Sequence, residues 1–143
     1  EIGVRLVGSE MCIRDRLLDD TYNANVDSLQ AAIDVLKGYD AFRILLVGDM
    51  KELGEDSLKC HQQVGEHAKQ AKLDLVLSYG TESAIISEAV LGKHFKDKAE
   101  LTAYALDIIK HKLQENQKVV VLAKGSRSMK MEETIYSLKD SLC

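Results

Sequence analysis

The sequence predicts an α/β fold: a doubly wound, mostly parallel sheet with helices on both faces. Three observations carry that prediction. Apolar runs at residues 42–47, 73–78 and 118–123 have the length and near-continuous hydrophobicity of parallel strands covered on both sides. The intervals between them show apolar residues at helical spacing. Strand and helix therefore alternate, and right-handed parallel crossovers are the economical way to connect them.

In chain order, a short apolar strand ends at Asp19-Asp20, and Val26, Leu29, Ala32, Ile33 and Leu36 then mark one helical face. Asn25 or Asp27 is placed to cap that helix and Gly38 to end it. The second strand stops at Gly48-Asp49, before a charged loop at 49–56 that is expected to be a solvated face or a hinge contact. Asp56 or Ser57 can cap the next helix, whose expected buried face is Leu58, His61, Val64, Ala68 and Ala71. A third strand closes at Tyr79-Gly80, and Thr81 is placed to cap a short helix ended by Gly92. A very short strand is expected at 93–95. Asp97, with Glu100 three residues on, is close to a capping box for a helix burying Leu101, Ala105, Ile108, Ile109 and Leu113. The last strand opens into the 124–130 loop, and a closing helix shows Ile135, Leu138 and Leu142 on one side.

A chain of 143 residues, 45% hydrophobic and 29% charged, can bury one sizeable core. Its net charge of −4 argues against nucleic acid or an anionic membrane as partner. No apolar run approaches the roughly 18 residues of a membrane span. Cys12, Cys60 and Cys143 are far apart and lack metal-ligand spacing, which fits a reducing cytoplasm better than a disulfide framework. His61 and His67 do not share a helical face as i, i+4 ligands would, so no metal site is expected there.

Residues 1–16 show neither period, and Met11-Cys12-Ile13-Arg14-Asp15-Arg16 resembles the translated sequencing-adapter junctions that contaminate assembled sequences. They are expected to be a non-native or disordered leader without a part in the core. The domain proper is then residues 17–143.

Ligands of an open parallel sheet bind outside the carboxyl ends of its strands. Right-handed winding puts three loops on that edge: residues 19–25, 48–56 and 124–130. The first carries two carboxylates, a phenol and two amides, which read hydroxyl and amino groups by hydrogen bonding, although Asp and Asn there can equally cap the helix and fill the turn. The third offers Lys124 and Arg127 as cations with Ser126 and Ser128 as donors, a set suited to a carboxylate or a phosphate, though such runs are more often exposed basic turns. The chain has no G-x-x-x-x-G-K-[ST] phosphate loop and no G-x-G-x-x-G fingerprint, so it shows no means of activating a nucleoside triphosphate. From the residues alone it is a binding domain with a polar, mixed-charge site.

Four motifs in register go further. They are Asp19-Asp20-Thr21-Tyr22-Asn23-Ala24-Asn25; Val47-Gly48-Asp49-Met50-x-Glu52-Leu53-Gly54-Glu55; His61-x-x-Val64-Gly65; and Lys124-Gly125-Ser126-Arg127-Ser128-Met129 before Met131-Glu132-Glu133. With them the chain, from about Leu17 to Cys143, resembles the C-terminal domain of the bacterial Mur ligases, specifically those that join D-alanyl-D-alanine to UDP-N-acetylmuramoyl-tripeptide. That resemblance implies a three-domain cytoplasmic enzyme of peptidoglycan synthesis. ATP phosphorylates the tripeptide carboxylate, and the dipeptide amine attacks the acyl phosphate. In the family the central domain holds the phosphate loop, the Mg2+ ligands and usually a carbamylated lysine, the N-terminal domain holds the UDP end, and the C-terminal domain closes over ATP. The missing phosphate loop is then explained, and this chain by itself is expected to be inactive.

By the same resemblance, Asp20 binds the ribose hydroxyls, with Asp19 the second choice. Tyr22, Asn23 and Asn25 line the junction of nucleotide and dipeptide. Lys124, Ser126 and Arg127 hold the dipeptide by its free carboxylate. No catalytic residue and no metal ligand is expected in this domain. Many family members have proline where this chain has Val26, and a free N–H is tolerated at a first helical turn. Two alternatives stand beside this assignment. One is a sister Mur or folylpolyglutamate-type ligase domain, which shares the fold and the aspartate after the first strand. The other is a receiver-like phosphoacceptor, with Asp19, Asp20, Asp49, Ser78 and Lys124 at strand ends. Against the receiver, its acceptor would follow the second strand where a receiver has it after the third, and Gly125 stands at its expected proline.

Overall fold

The computed structural model describes residues 5–7, 15–19, 24–51 and 53–142. Its sheet has the strands β1 (Arg5–Val7), β2 (Asp15–Asp19), β3 (Phe42–Gly48), β4 (Leu75–Tyr79), β5 (Lys93–Phe95) and β6 (Val119–Lys124), in the spatial order β1-β2-β6-β3-β4-β5. All neighbours are parallel except β1, which runs antiparallel to β2 at the edge. The mostly parallel, doubly wound sheet expected from the sequence is the one observed.

Strict alternation along the central strands divides the core in two. Leu45 and Val47 of β3, with Val120 and Leu122 of β6, face α1 (Val26–Lys37), α2 (Ser57–Ala71) and α3 (Ala84–Ala89). Ile44 and Leu46, with Val119, Val121 and Ala123, face α4 (Lys98–Gln114) and α5 (Glu132–Leu142). Every residue from Ile44 to Val47 and from Val119 to Ala123 is buried, which is why these runs read as continuously apolar.

Caps set the helix starts. Asn25 accepts from the Ser28 N–H, and Ser28 Oγ accepts from the Asn25 N–H, closing a reciprocal capping box. Asp97 caps α4 through the Ala99 N–H at 2.8 Å. At the sheet's amino edge, the Arg43 guanidinium donates to the Lys37 and Lys72 carbonyls at the ends of α1 and α2, while the Asp74 carboxylate accepts from its backbone N–H and its Nε. That clasp satisfies helix-terminal acceptors that have no partner within their own helix.

Three details differ from expectation. β2 begins at Asp15, before the boundary read at Leu17, and Asp15 and Arg16 pair with Val119 and Val120. Arg5–Val7 adds an edge strand within the expected leader. Three residues are too few to display a period, and two charged residues opening β2 break its apolar run. Leu58 is 58% exposed, because the first turn of α2 continues the helical pattern beyond the core that α2 packs on.

Candidate functional site

Parallel register brings the expected loops to one edge: Asp19 lies opposite Ala123, Val47 opposite Lys124, and Gly48 opposite Tyr79. Asp20, Tyr22 and Asn23 lie outside the described residues, and Asp19 is the last residue of β2. Asn25 is exposed and serves as the α1 cap, the local role weighed for it from the sequence. Lys124 ends β6 and is buried, only 1% exposed. Arg127 is exposed and pairs with Glu132 at 2.6 Å. Ser126 donates its N–H to the Asp49 carbonyl, and its hydroxyl oxygen accepts the Lys51 N–H at 2.6 Å. Ser126 and Arg127 therefore follow Lys124, the last residue of β6, on a loop that is stitched to the end of β3. Gly125 permits that approach: a Cβ there would lie 3.1 Å from the Gly48 Cα and 3.0 Å from Met131 Cγ.

Asp49 is the residue that sequence reasoning missed. In place of a solvated or hinge position it is fully buried. Its Oδ1 accepts the N–H groups of Glu82 and Ser83 at 3.0 and 2.8 Å; its Oδ2 accepts the Thr81 N–H at 2.9 Å and the Thr81 hydroxyl at 3.2 Å. Lys51 Nζ adds an ion pair at 3.6 Å. Burial alone would push this carboxyl up, but the N–H donors of Thr81, Ser83 and Glu82 outweigh it and hold the group below its ordinary value. Gly80 makes the fit possible: its φ is +124°, and a Cβ there would sit 2.5 Å from Asp49 Oδ1. Thr81 is thus spent on Asp49, and the position before α3 is Ser83, whose hydroxyl donates to the Tyr79 carbonyl.

His61 anchors the same segment from α2. Its Nε2 accepts the Met50 N–H at 3.1 Å and its Nδ1 lies 2.8 Å from the Ser57 carbonyl, so the pair of bonds requires the Nδ1–H tautomer. Residues 49–51 are consequently tied to the β4–α3 loop, the β6 loop and α2 at once. An open cleft of about 690 Å³ lies beside them, over the ends of β3, β4 and β5. Lys51 and Lys96 bring positive charge to it, and Tyr79 and Met129 bring apolar surface. That lining suits a small anionic ligand with an apolar body. Among the described residues no group of three His, Cys, Asp or Glu side chains is placed to hold a metal ion. The receiver-like alternative fails at Asp49, since both of its oxygens are occupied and neither is open to a phosphoryl donor.

A doubly wound sheet that carries the 47–55 and 124–129 motifs at its carboxyl edge and the His61-x-x-Val64-Gly65 motif on α2 is that of a ligase-type C-terminal domain. The chain belongs to the family described as Mur ligase, glutamate ligase domain, which matches residues 7–127. The match starts upstream of Leu17. Among individual relatives, the UDP-N-acetylmuramoyl-tripeptide--D-alanyl-D-alanine ligase of Haemophilus influenzae is 69% identical over 126 residues, covering 88% of this chain and 28% of the relative. The Escherichia coli protein of the same name is 46% identical over 138 residues, covering 96% of this chain and 30% of the relative. Among solved structures, MurF from Acinetobacter baumannii superposes with a TM-score of 0.85 at 26% identity, over 98% of this chain and 30% of that one. MurF ligase from Thermotoga maritima in complex with ADP gives 0.78 at 27% identity, over 99% of this chain and 30% of that one. The chain thus spans under a third of the length of these proteins.

Proposed function

We propose that this chain is the C-terminal domain of a cytoplasmic, ATP-dependent ligase that joins D-alanyl-D-alanine to UDP-N-acetylmuramoyl-tripeptide in peptidoglycan synthesis. The observation that carries the proposal is 69% identity to a ligase of that name across 88% of the chain. In such a reaction the tripeptide carboxylate takes the γ-phosphoryl group of ATP, and the dipeptide amine displaces phosphate from the acyl phosphate to form the amide. Phosphates and Mg2+ are assigned to the remaining domains of the full-length protein, because no phosphate loop occurs in this sequence.

What this chain's residues contribute is binding and orientation. Asp20, seconded by Asp19, is assigned to the two ribose hydroxyls, and Tyr22 to the nucleotide side of the junction with the dipeptide. Asn23 and Asn25 sit between nucleotide and dipeptide. Asn25 Oδ1 already accepts the cap bond, so its NH2 is the group offered to a ligand. On the β6 loop, exposed Arg127 makes the first contact with the dipeptide carboxylate, Ser126 contributes its hydroxyl proton, and enclosed Lys124 supplies the inner positive charge. Holding the amine against the acyl carbon in this way removes the entropy of a bimolecular encounter.

Steady-state kinetics of the full-length protein test this assignment with each substrate varied separately. Asp20→Asn is expected to raise KM for ATP, since an amide cannot accept from two hydroxyls as a carboxylate does. Lys124→Ala and Arg127→Ala are expected to raise KM for the dipeptide about ten- to hundredfold, the worth of a charge-assisted hydrogen bond. A Lys124→Ala variant impaired toward ATP and normal toward the dipeptide would show that the two halves of the site are wrongly divided.

A further inference from the structure

α4 opens against its own dipole. Lys98 is its first residue, where a positive charge is disfavoured by the positive end of the helix. Its side chain does not run out into solvent; it is 20% exposed. The ammonium reaches the carbonyls of Met129 and Lys130 at 3.0 and 3.1 Å and Glu133 Oε1 at 2.6 Å. It also lies 5.8 Å from the centroid of the Tyr79 ring at the end of β4. A lysine has three N–H donors and no acceptor, and here three acceptors from one loop and the helix after it face them.

Those acceptors close the β6 loop. Met129 ends the short 3-10 turn Arg127–Met129, and Lys130 behind it takes a left-handed conformation with φ +52°. The opposite side of the turn is fixed by Ser126, through the Asp49 carbonyl and the Lys51 N–H. Ser126 is thus the first anchor, and Arg127 stands between it and the second.

We propose that Lys98 is a positioning residue for the incoming dipeptide, fixing the turn that presents Ser126 and Arg127. The inference rests on the reading that this loop binds the dipeptide. Without the ammonium, the Met129 carbonyl loses this donor, the Lys130 carbonyl keeps the Glu133 N–H alone, and the turn loses its tie to α4. The cost of ordering it then falls on dipeptide binding. ATP binding is spared, because the ribose contacts are assigned to the loop after β2.

The test uses the full-length protein with Lys98→Met, which keeps an unbranched apolar stem, Lys98→Arg, which keeps the charge, and Arg127→Ala. Lys98→Met is expected to raise KM for the dipeptide about tenfold, the scale of a lost charge-assisted contact, with KM for ATP changed less than about twofold. Lys98→Arg is expected to recover much of that loss. A lower melting temperature with both KM values unchanged would make Lys98 merely structural and overturn the proposal, as would equal rises for both substrates. If Arg127→Ala raises the dipeptide KM and Lys98→Met does not, the positioning role alone falls. If neither variant moves it, the loop is not the dipeptide site and the underlying reading falls with the proposal.

Discussion

At Asp49, four hydrogen-bond donors converge on a carboxylate that solvent does not reach, and three of them are backbone N–H groups. Replacing one oxygen by an NH2 sets donor against donor in a buried place. Asp49→Asn is therefore expected to cost about 1–3 kcal/mol, the range for leaving a buried polar group unsatisfied. Thermal unfolding of the purified domain measures it. The same carboxylate gives a pH signature. Its pKa is lowered on folding, so its contribution is complete above the unfolded carboxylate value of about 3.9 and is lost as pH falls through the folded value. Wild type should lose melting temperature more steeply than Asp49→Asn below about pH 4. Parallel curves for the two proteins in that window would mean that the carboxylate is not held as described.

At the scale of elements, the start of β2 is the informative place. Asp15 and Arg16 extend its parallel ladder with β6, whereas Arg5–Val7 pairs only with β2 at the sheet edge. Truncation before Asp15 should cost little. Truncation before Leu17 removes two rungs next to the central strands and should lower the melting temperature by a further several degrees, given about 0.5–1.5 kcal/mol per hydrogen bond. Equal melting temperatures for the two truncations would place Asp15 and Arg16 outside the ladder. The central elements were legible because their causes are local: β3 and β6 are apolar throughout because both faces are covered, and Asn25 and Asp97 cap because their side chains reach N–H groups two or three residues on. The three-residue β1 and the exposed Leu58 were not, since neither edge pairing nor the reach of a helix beyond its core leaves a periodic trace. Nor was the site's hub. Of the loops tied to it, the one after β6 stood out through Lys124, Ser126 and Arg127, charged or hydroxyl side chains beside a glycine. Asp49 takes its partners from backbone more than thirty residues away, and backbone donors look the same at every position.

For the whole molecule, the decisive fact is proportion: under a third of the relatives' length is present. Phosphoryl transfer from ATP is almost entirely a matter of positioning and of neutralising charge on the phosphates and the metal. The carboxyl edge described above offers cations suited to one carboxylate, and its buried carboxylate is already saturated. The sequence has no phosphate loop to supply the rest. The purified chain is therefore expected to release no phosphate from ATP above background, with or without D-alanyl-D-alanine and UDP-N-acetylmuramoyl-tripeptide, while the full-length protein is expected to release it when both substrates are present. Colorimetric phosphate assays on both proteins at equal concentration decide it. Substrate-dependent release by the isolated chain would require a nucleotide-activating site within these 143 residues and would undo the division of labour between the domains.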